Sequence, residues 1–241
     1  MRPSIVLFGD SITEESFGEG GWGAHLANHY SRSADVVLRG YSGYNTRWAS
    51  LVAGRAFSAI PASAAAVAAV TVFFGANDAS LPDRSSAFQH VPLPEYRDNL
   101  RAICALLRAR WPSAAVILIT PPPVDERARV RLGHPRNGDA SGLPERTNEA
   151  AGRYARACLE VAAERGLRAI DVWSRMQEFP GWETAFLRDG LHLTPTGNRL
   201  LFEEVVFALR DANLNLEALP ADLPLCSDID PNDAVNCFEE D

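Results

Sequence analysis

A serine hydroxyl is a weak nucleophile. It attacks a carbonyl only when a base takes its proton, an acid orients the base, and hydrogen-bond donors receive the charge that forms on the carbonyl oxygen. The chain holds residues of each type in turn-forming surroundings. Ser11 stands in Phe8-Gly9-Asp10-Ser11-Ile12-Thr13, directly after the apolar run Ser4 to Phe8. A serine beside a glycine at the carboxyl end of such a strand is where an open α/β sheet presents reactive groups. His192 and Asp189 share the stretch Leu187-Arg188-Asp189-Gly190-Leu191-His192-Leu193. His192 is the candidate base, pinned ahead of a helix that Thr194 and Pro195 open well as cap and first-turn residue. Asp189 can hold the far ring nitrogen. The candidate oxyanion donors are the backbone N–H groups of Ser11 and Gly43 and the side-chain amide of Asn77. No side chain blocks approach to Gly43, and the Asn77 amide donates without carrying charge.

Each of these residues also has a plainer reading. Ser11 can cap a helix, Asp189 and Gly190 can form a simple turn, and His192 can be a helix-entry residue. Gly43 can be a turn glycine, and Asn77 can close a turn on its own backbone. Asp10 and Asp78 are rival acids, read here as carboxylates that hold their loops. His25 and His29, four apart on one helix face, lack the glutamate and third ligand of a zinc helix. They read as exposed or half-buried histidines.

Several elements must position these turns. Ser4 to Phe8, Val36 to Arg39, Val67 to Phe74, Val116 to Ile119 and Ala169 to Asp171 read as five short strands. Between them lie helical patterns: Ala24 to Tyr30, Thr46 to Val52 with Trp48 inward, Tyr96 to Trp111, Thr147 to Arg165 and Trp173 to Met176. A last helix runs from Thr194 to about Arg210. Gly18 to Gly23, with Trp22, reads as a glycine-rich loop. Pro82 to Pro94 is a proline-punctuated loop. Asp125 to Pro144 shows no period, and a loop of that length is expected only as a lid, a binding loop or a disordered segment. Strands alternating with helices imply a parallel sheet covered on both faces, with the glycine-bearing turns gathered at one edge. The expected organisation is one domain over 1–212 and an acidic tail over 213–241.

Composition removes other chemistries. The chain has 241 residues, 46% hydrophobic, and a net charge of −8. All 23 cationic residues are arginine, so a Walker A loop, a pyridoxal Schiff base, a lysine aldolase and a Ser-x-x-Lys site are excluded. No basic residue follows Arg210 while acids accumulate, and no basic stripe offers a nucleic-acid surface. Cys104 and Cys158 fall in helical patterns as small apolar groups. Cys226 and Cys237 lie in the tail and could pair. Neither a leader peptide nor a membrane-spanning run is evident, so the expectation is a cytoplasmic protein with reduced thiols. A phosphatase using Asp10 needs a second acid where Phe8 or Ile12 stands, and a lysine.

Taken together, Gly9-Asp10-Ser11-Ile12, then Gly43, then Gly75-Ala76-Asn77-Asp78, then Asp189-Gly190-Leu191-His192 resembles the four-block pattern of the GDSL or SGNH hydrolases. Gly40-Tyr41-Ser42-Gly43-Tyr44-Asn45-Thr46-Arg47-Trp48 and Leu193-Thr194-Pro195-Thr196-Gly197-Asn198 resemble the isoamyl acetate-hydrolysing esterase branch. The resemblance covers about Ile5 to Arg210. It implies a three-layer, flavodoxin-like α/β/α sandwich on a five-stranded parallel sheet. It implies Ser11, His192 and Asp189 as catalytic residues, and Ser11, Gly43 and Asn77 as the oxyanion hole. It also implies acyl transfer without metal or cofactor, on a small-molecule ester of short-chain, acetate type, and a place in lipid degradation. A carbohydrate or lipid deacylase on the same scaffold, with the 125–144 loop, Trp22 and Trp48 shaping specificity, is the alternative hydrolase. A non-catalytic binding module is the alternative from another class.

Overall fold

The computed structural model describes residues 2–63, 66–132 and 142–238. Five strands form one parallel sheet: β1 (Ser4–Gly9), β2 (Asp35–Gly40), β3 (Val67–Phe73), β4 (Ala115–Ile119) and β5 (Arg168–Ile170), in the order β2-β1-β3-β4-β5. The chain leaves β1 to one side for β2 and crosses to the other side for β3. The carboxyl end of β1 is therefore the switch point of the sheet, where open α/β sheets place their ligands.

Strand side chains alternate between the faces and define two cores. Ile5 and Leu7 join Trp22, Leu26, Leu201, Val205 and Leu209 on one face. Val6 and Phe8 join Ala49, Ala53, Tyr96, Leu100, Ile103 and Val161 on the other. Nine α-helices are found among the described residues. On the first face lie α2 (Trp22–His29) and α9 (Pro195–Asp211). The second face carries α3 (Thr46–Ala56), α4 (Leu93–Arg110) and α6 (Asn148–Arg165). Short helices α1 (Ser11–Glu14), α5 (Glu126–Leu132), α7 (Val172–Gln177) and α8 (Trp182–Ala185) line the connections. This is the expected three-layer α/β/α sandwich.

Local chemistry sets the helix ends. Asn45 caps α3 by accepting from the Trp48 N–H. Thr147 caps α6 by accepting from Ala150, and Gly166 ends it in the left-handed region at φ 60°. Thr194 caps α9 over Gly197, with Pro195 in the first turn.

Three expectations are corrected. The glycine-rich loop ends at Gly21, and Trp22 opens α2. Trp22 is fully buried and donates its indole N–H to the Ile12 carbonyl at 3.1 Å, so it supports the Ser11 turn from within the core. Trp48 is half-buried and stands edge-on to Tyr44, while the small Ala49 and Ala53 face inward, since α3 packs close to α4. The stretch expected as an aperiodic loop from Asp125 contains α5. Its buried residues are Ala128 and Arg129, so no apolar period announced it; residues 133–141 of that stretch lie outside the described residues.

The acidic tail docks by charge as much as by apolar contact. Leu214 and Leu219 pack on the first core. Asp222 pairs with Arg2 at 3.0 Å and Arg32 at 3.4 Å. Leu223, Leu225 and Phe238 are exposed. Cys104 and Cys158 are buried, and Cys226 and Cys237 are free thiols, not joined in a disulfide. His25 and His29 are half-buried against the Phe202 ring, at centroid distances of 5.6 and 5.9 Å. Among the described residues, no helix is long and apolar enough to cross a membrane.

Replacing Trp22 with Phe removes the hydrogen bond to Ile12 and leaves a small void. Urea denaturation is expected to show a loss of about 1–3 kcal/mol.

Candidate active site

Ser11 is the first residue of α1, directly beyond β1. Asp10 caps this helix, its Oδ1 accepting the Ile12 N–H at 3.0 Å. As the first helical residue, Ser11 has a backbone N–H that the helix itself leaves unpartnered. Its side chain is not solvent-swept, since the residue is only 7% exposed.

The second part of the site comes from the stretch before α9. Leu187 and Leu193 form an isolated antiparallel bridge, and Arg188 N–H donates to the His192 carbonyl at 2.9 Å. Inside this small loop, Asp189 Oδ1 accepts the N–H groups of Leu191 and His192 at 3.0 and 2.8 Å. Gly190 takes φ 84°, and a side chain there would meet the Asp125 carbonyl at 2.5 Å. Glycine is required at that position both by the backbone and by the close approach of α5.

These two stretches meet. His192 Nε2 lies 2.9 Å from Ser11 Oγ, and His192 Nδ1 lies 2.7 Å from Asp189 Oδ2. The carboxylate can only accept, so Nδ1 carries the proton of the neutral ring. Nε2 is then left to accept the Ser11 hydroxyl proton. Burial disfavours the Asp189 charge. The hydrogen bond from the His192 ring, its charge, the His192 backbone N–H and Arg129 outweigh that and hold the carboxyl well below the usual carboxylate range. Asp189 is thus ionised wherever His192 can act as a base.

Gly43 lies in the turn after β2 and Asn77 in the turn after β3, on either side of the β1 end. Gly43 adopts φ 79°, a backbone state that favours glycine. Among the described residues no acceptor takes its N–H. Asn77 Nδ2 donates to the Tyr44 carbonyl at 2.8 Å, tying the two turns together, and its second hydrogen remains. All five residues singled out in the sequence therefore lie at one edge of the sheet.

Asp10 and Asp78 lie under the same edge. Burial pushes the Asp10 carboxyl up to about 7, against the pull of Ile12, His192 and Arg146. Its Oδ2 has no partner among the described residues. Asp78 sits under the start of α3, accepting from the Thr46 N–H at 3.0 Å and from the Thr46 hydroxyl. Burial pushes it to about 7 as well. Neither carboxyl contacts the His192 ring by hydrogen bond.

Sequence reading missed a set of polar residues buried behind the turns. Gln89, Arg129, Glu145 and Arg146 are each less than 9% exposed. Arg129 Nη1 lies 3.3 Å from Asp189 Oδ2, and Arg146 donates to Asn77 Oδ1 at 3.0 Å. The one available signal was the adjacent charged pair Glu145-Arg146 just ahead of the Thr147 cap, which by itself reads as surface. Beside the site, a cleft of about 570 Å³ is lined by Ile12, Leu193 and Thr194, with Glu14, Glu15, Glu19 and Arg188 also around it.

Residues 7–200 match the model of the GDSL-like Lipase/Acylhydrolase family. The chain is 56% identical to a GDSL esterase/lipase of Arabidopsis thaliana, over 100% of this chain and 99% of the relative. It is 44% identical to the isoamyl acetate-hydrolyzing esterase 1 homolog of Mus musculus, over 95% of this chain and 89% of that one. In structure it is similar to the lipase/acylhydrolase from Enterococcus faecalis, with 27% identity, a TM-score of 0.66, and coverage of 88% of this chain and 96% of that chain.

The buried carboxyls give a stability prediction. Between about pH 4 and pH 7, folded Asp10 and Asp78 keep protons that the unfolded chain has released, so each makes stability fall as pH rises through that window. Asp10→Asn retains the cap acceptor and cannot ionise. In urea denaturation it should gain stability relative to the wild type between about pH 5 and pH 8; a difference that stays constant with pH contradicts this. With the fold, the converging turns and these similarities in place, the chain belongs to the GDSL-like lipase/acylhydrolase family and is a carboxylic ester hydrolase.

Proposed function

We propose that this protein is a serine esterase acting on short-chain, acetate-type esters, with Ser11 as nucleophile, His192 as general base and acid, and Asp189 as the orienting carboxylate. The observation that carries this reading is the continuous pair of hydrogen bonds from Ser11 Oγ through the His192 ring to Asp189, at 2.9 and 2.7 Å. Heavy-atom distances of this length are those that proton transfer requires.

In this reading the Ser11 oxygen attacks the ester carbonyl carbon as its proton passes to His192 Nε2. The carbonyl π electrons move to oxygen. That oxyanion is received by the Ser11 N–H, the Gly43 N–H and the free hydrogen of the Asn77 amide. Collapse of the tetrahedral intermediate breaks the bond to the alcohol oxygen, which takes the proton from His192. Water then enters, gives its proton to the same nitrogen and attacks the acyl-enzyme. A second collapse returns the proton to Ser11 and frees the acid. Asp189, kept ionised, stabilises the imidazolium in both halves without itself taking the proton.

The short-chain preference rests on the relatives at 41–44% identity named as isoamyl acetate-hydrolyzing esterase 1 homologs. Residues 1–212 carry the reaction in this reading, and 213–241 form an acidic appendage docked through its first part.

A series of aryl esters of increasing acyl length tests both halves of the proposal. Acetate and its near homologues should be the fastest substrates, and a preference for long chains contradicts the acetate reading. Ser11→Ala and His192→Ala, still folded, should each lose at least about 1,000-fold in kcat. A Ser11→Ala protein with the wild-type rate removes Ser11 from the nucleophile role. Asn77→Ala should cost roughly 100- to 1,000-fold in kcat with little change in KM.

A further inference from the structure

Arg146 is 4% exposed, and its guanidinium donates four hydrogen bonds. Its Nε–H donates to the Ala76 carbonyl at 2.9 Å. Nη1 donates to Glu145 Oε1 at 2.7 Å. Nη2 donates both to Asn77 Oδ1, at 3.0 Å, and to Gln89 Oε1, at 2.7 Å. Two primary amides are thereby held by their oxygens on one rigid cation.

The consequence for each amide is orientational. An amide turned by 180° exchanges its donor end for its acceptor end. With Oδ1 on Arg146, Asn77 must present Nδ2 to the other side, where it meets the Tyr44 carbonyl and keeps one hydrogen in reserve. With Oε1 on Arg146, Gln89 must present Nε2, which donates to the Gly43 carbonyl at 2.9 Å. The Gln89 backbone carbonyl in turn accepts from Asn45 Nδ2 at 2.8 Å, fixing the loop that carries it to the turn after β2. A carbonyl oxygen aimed at a forming oxyanion would repel it, so the direction of the Asn77 amide decides whether it helps or hinders.

We propose that Arg146 is a positioning residue that sets both non-serine donors of the oxyanion hole, Asn77 directly and Gly43 through Gln89. This rests on the serine-esterase reading above. The same buried network extends to the other half of the site. Glu145 Oε1 also accepts from Arg129 Nε and Nη2, at 2.8 and 2.5 Å, and Arg129 Nη1 reaches the Asp189 carbonyl and carboxylate, each at 3.3 Å. Burial opposes the Glu145 charge, but Arg146 and Arg129 outweigh it and lower the Glu145 pKa. Glu145 therefore remains the anion that both buried guanidiniums require.

The test uses the full chain and three variants: Gln89→Met, Arg146→Lys and Asn77→Ala, with the double variant Arg146→Lys/Asn77→Ala. Gln89→Met keeps the volume and cuts the tie to Gly43. It should lower kcat about tenfold with KM within about twofold. Arg146→Lys keeps the charge and loses the fork that holds two amides at once, so kcat should fall roughly 100-fold. Because that loss passes through Asn77, the same substitution made on Asn77→Ala should cost only about tenfold more. A merely structural role would instead lower thermal stability and the fraction of active protein, with the same factor in both backgrounds. If folded Gln89→Met and Arg146→Lys keep kcat within about twofold of the wild type, or if the Arg146→Lys factor is equal with and without Asn77, the positioning role is overturned. Should Arg146→Lys fail to fold, Gln89→Met alone decides. An active Ser11→Ala overturns the serine reading beneath the proposal; an inactive Ser11→Ala beside fully active Gln89→Met and Arg146→Lys overturns the positioning role alone.

Discussion

The hydrogen bond between Ser11 and His192 joins turns that are 181 residues apart in the chain. Neither turn is held in place by its neighbours in sequence alone. Ser11 depends on β1 lying between β2 and β3, since only then do the turns bearing Gly43 and Asn77 flank it. His192 depends on the small 187–193 loop, the α9 cap at Thr194 and the packing of Gly190 against Asp125. A displacement of about 1 Å at such a contact costs on the order of 100-fold in rate. The two cores of the sandwich are in this sense the frame for one hydrogen-bond distance, the one on which the proposed proton transfer rests.

The edge that carries the site is also where buried polar groups concentrate. Asp10, Asn77, Asp78, Gln89, Arg129, Glu145 and Arg146 are all less than 9% exposed. An apolar core would be a cheaper way to stabilise these loops, because each buried ion loses its hydration. The geometry provides something apolar packing does not, namely directionality. Carboxylates under the Ser11 turn and the α3 start fix backbone N–H groups, and guanidiniums fix the orientation of amides. Charge alternates in sign from Arg146 through Glu145 and Arg129 to Asp189, with the neutral amides of Asn77 and Gln89 held by their oxygens on Arg146.

The strands and the main helices were legible from sequence because their signals are local. Burial on both faces makes Ser4–Gly9 and Val67–Phe73 dense in apolar and β-branched residues, and Thr147 with Gly166, or Thr194 with Pro195, mark helix ends by their own chemistry. Ser11, Gly43, Asn77, Asp189 and His192 were candidates by residue type beside glycine-bearing turns, and only the four-block resemblance gave each of them a role over its plainer reading. Other features depend on what lies across the fold. The α5 sequence Glu126 to Leu132 buries an alanine and an arginine, so its inner face looks like an outer one. Trp22 follows glycines and reads as loop, yet its ring fills the core and Gly21 caps its helix without any side-chain signal. Nothing in the types of Gln89 or Arg146 distinguishes a buried partner from a solvated surface residue. Their roles come from Asn77 and Gly43, which approach only once β2 and β3 lie on opposite sides of β1.

The most direct test is the structure of the protein after reaction with a small alkyl phosphonate ester, whose tetrahedral phosphorus mimics the first intermediate. The account predicts a covalent bond to Ser11 Oγ. It also predicts one phosphonyl oxygen about 2.7–3.1 Å from each of three nitrogens: the Ser11 N–H, the Gly43 N–H and Asn77 Nδ2. Phosphonylation of another residue, or a Ser11 adduct whose oxygen points away from both Gly43 and Asn77, would contradict it.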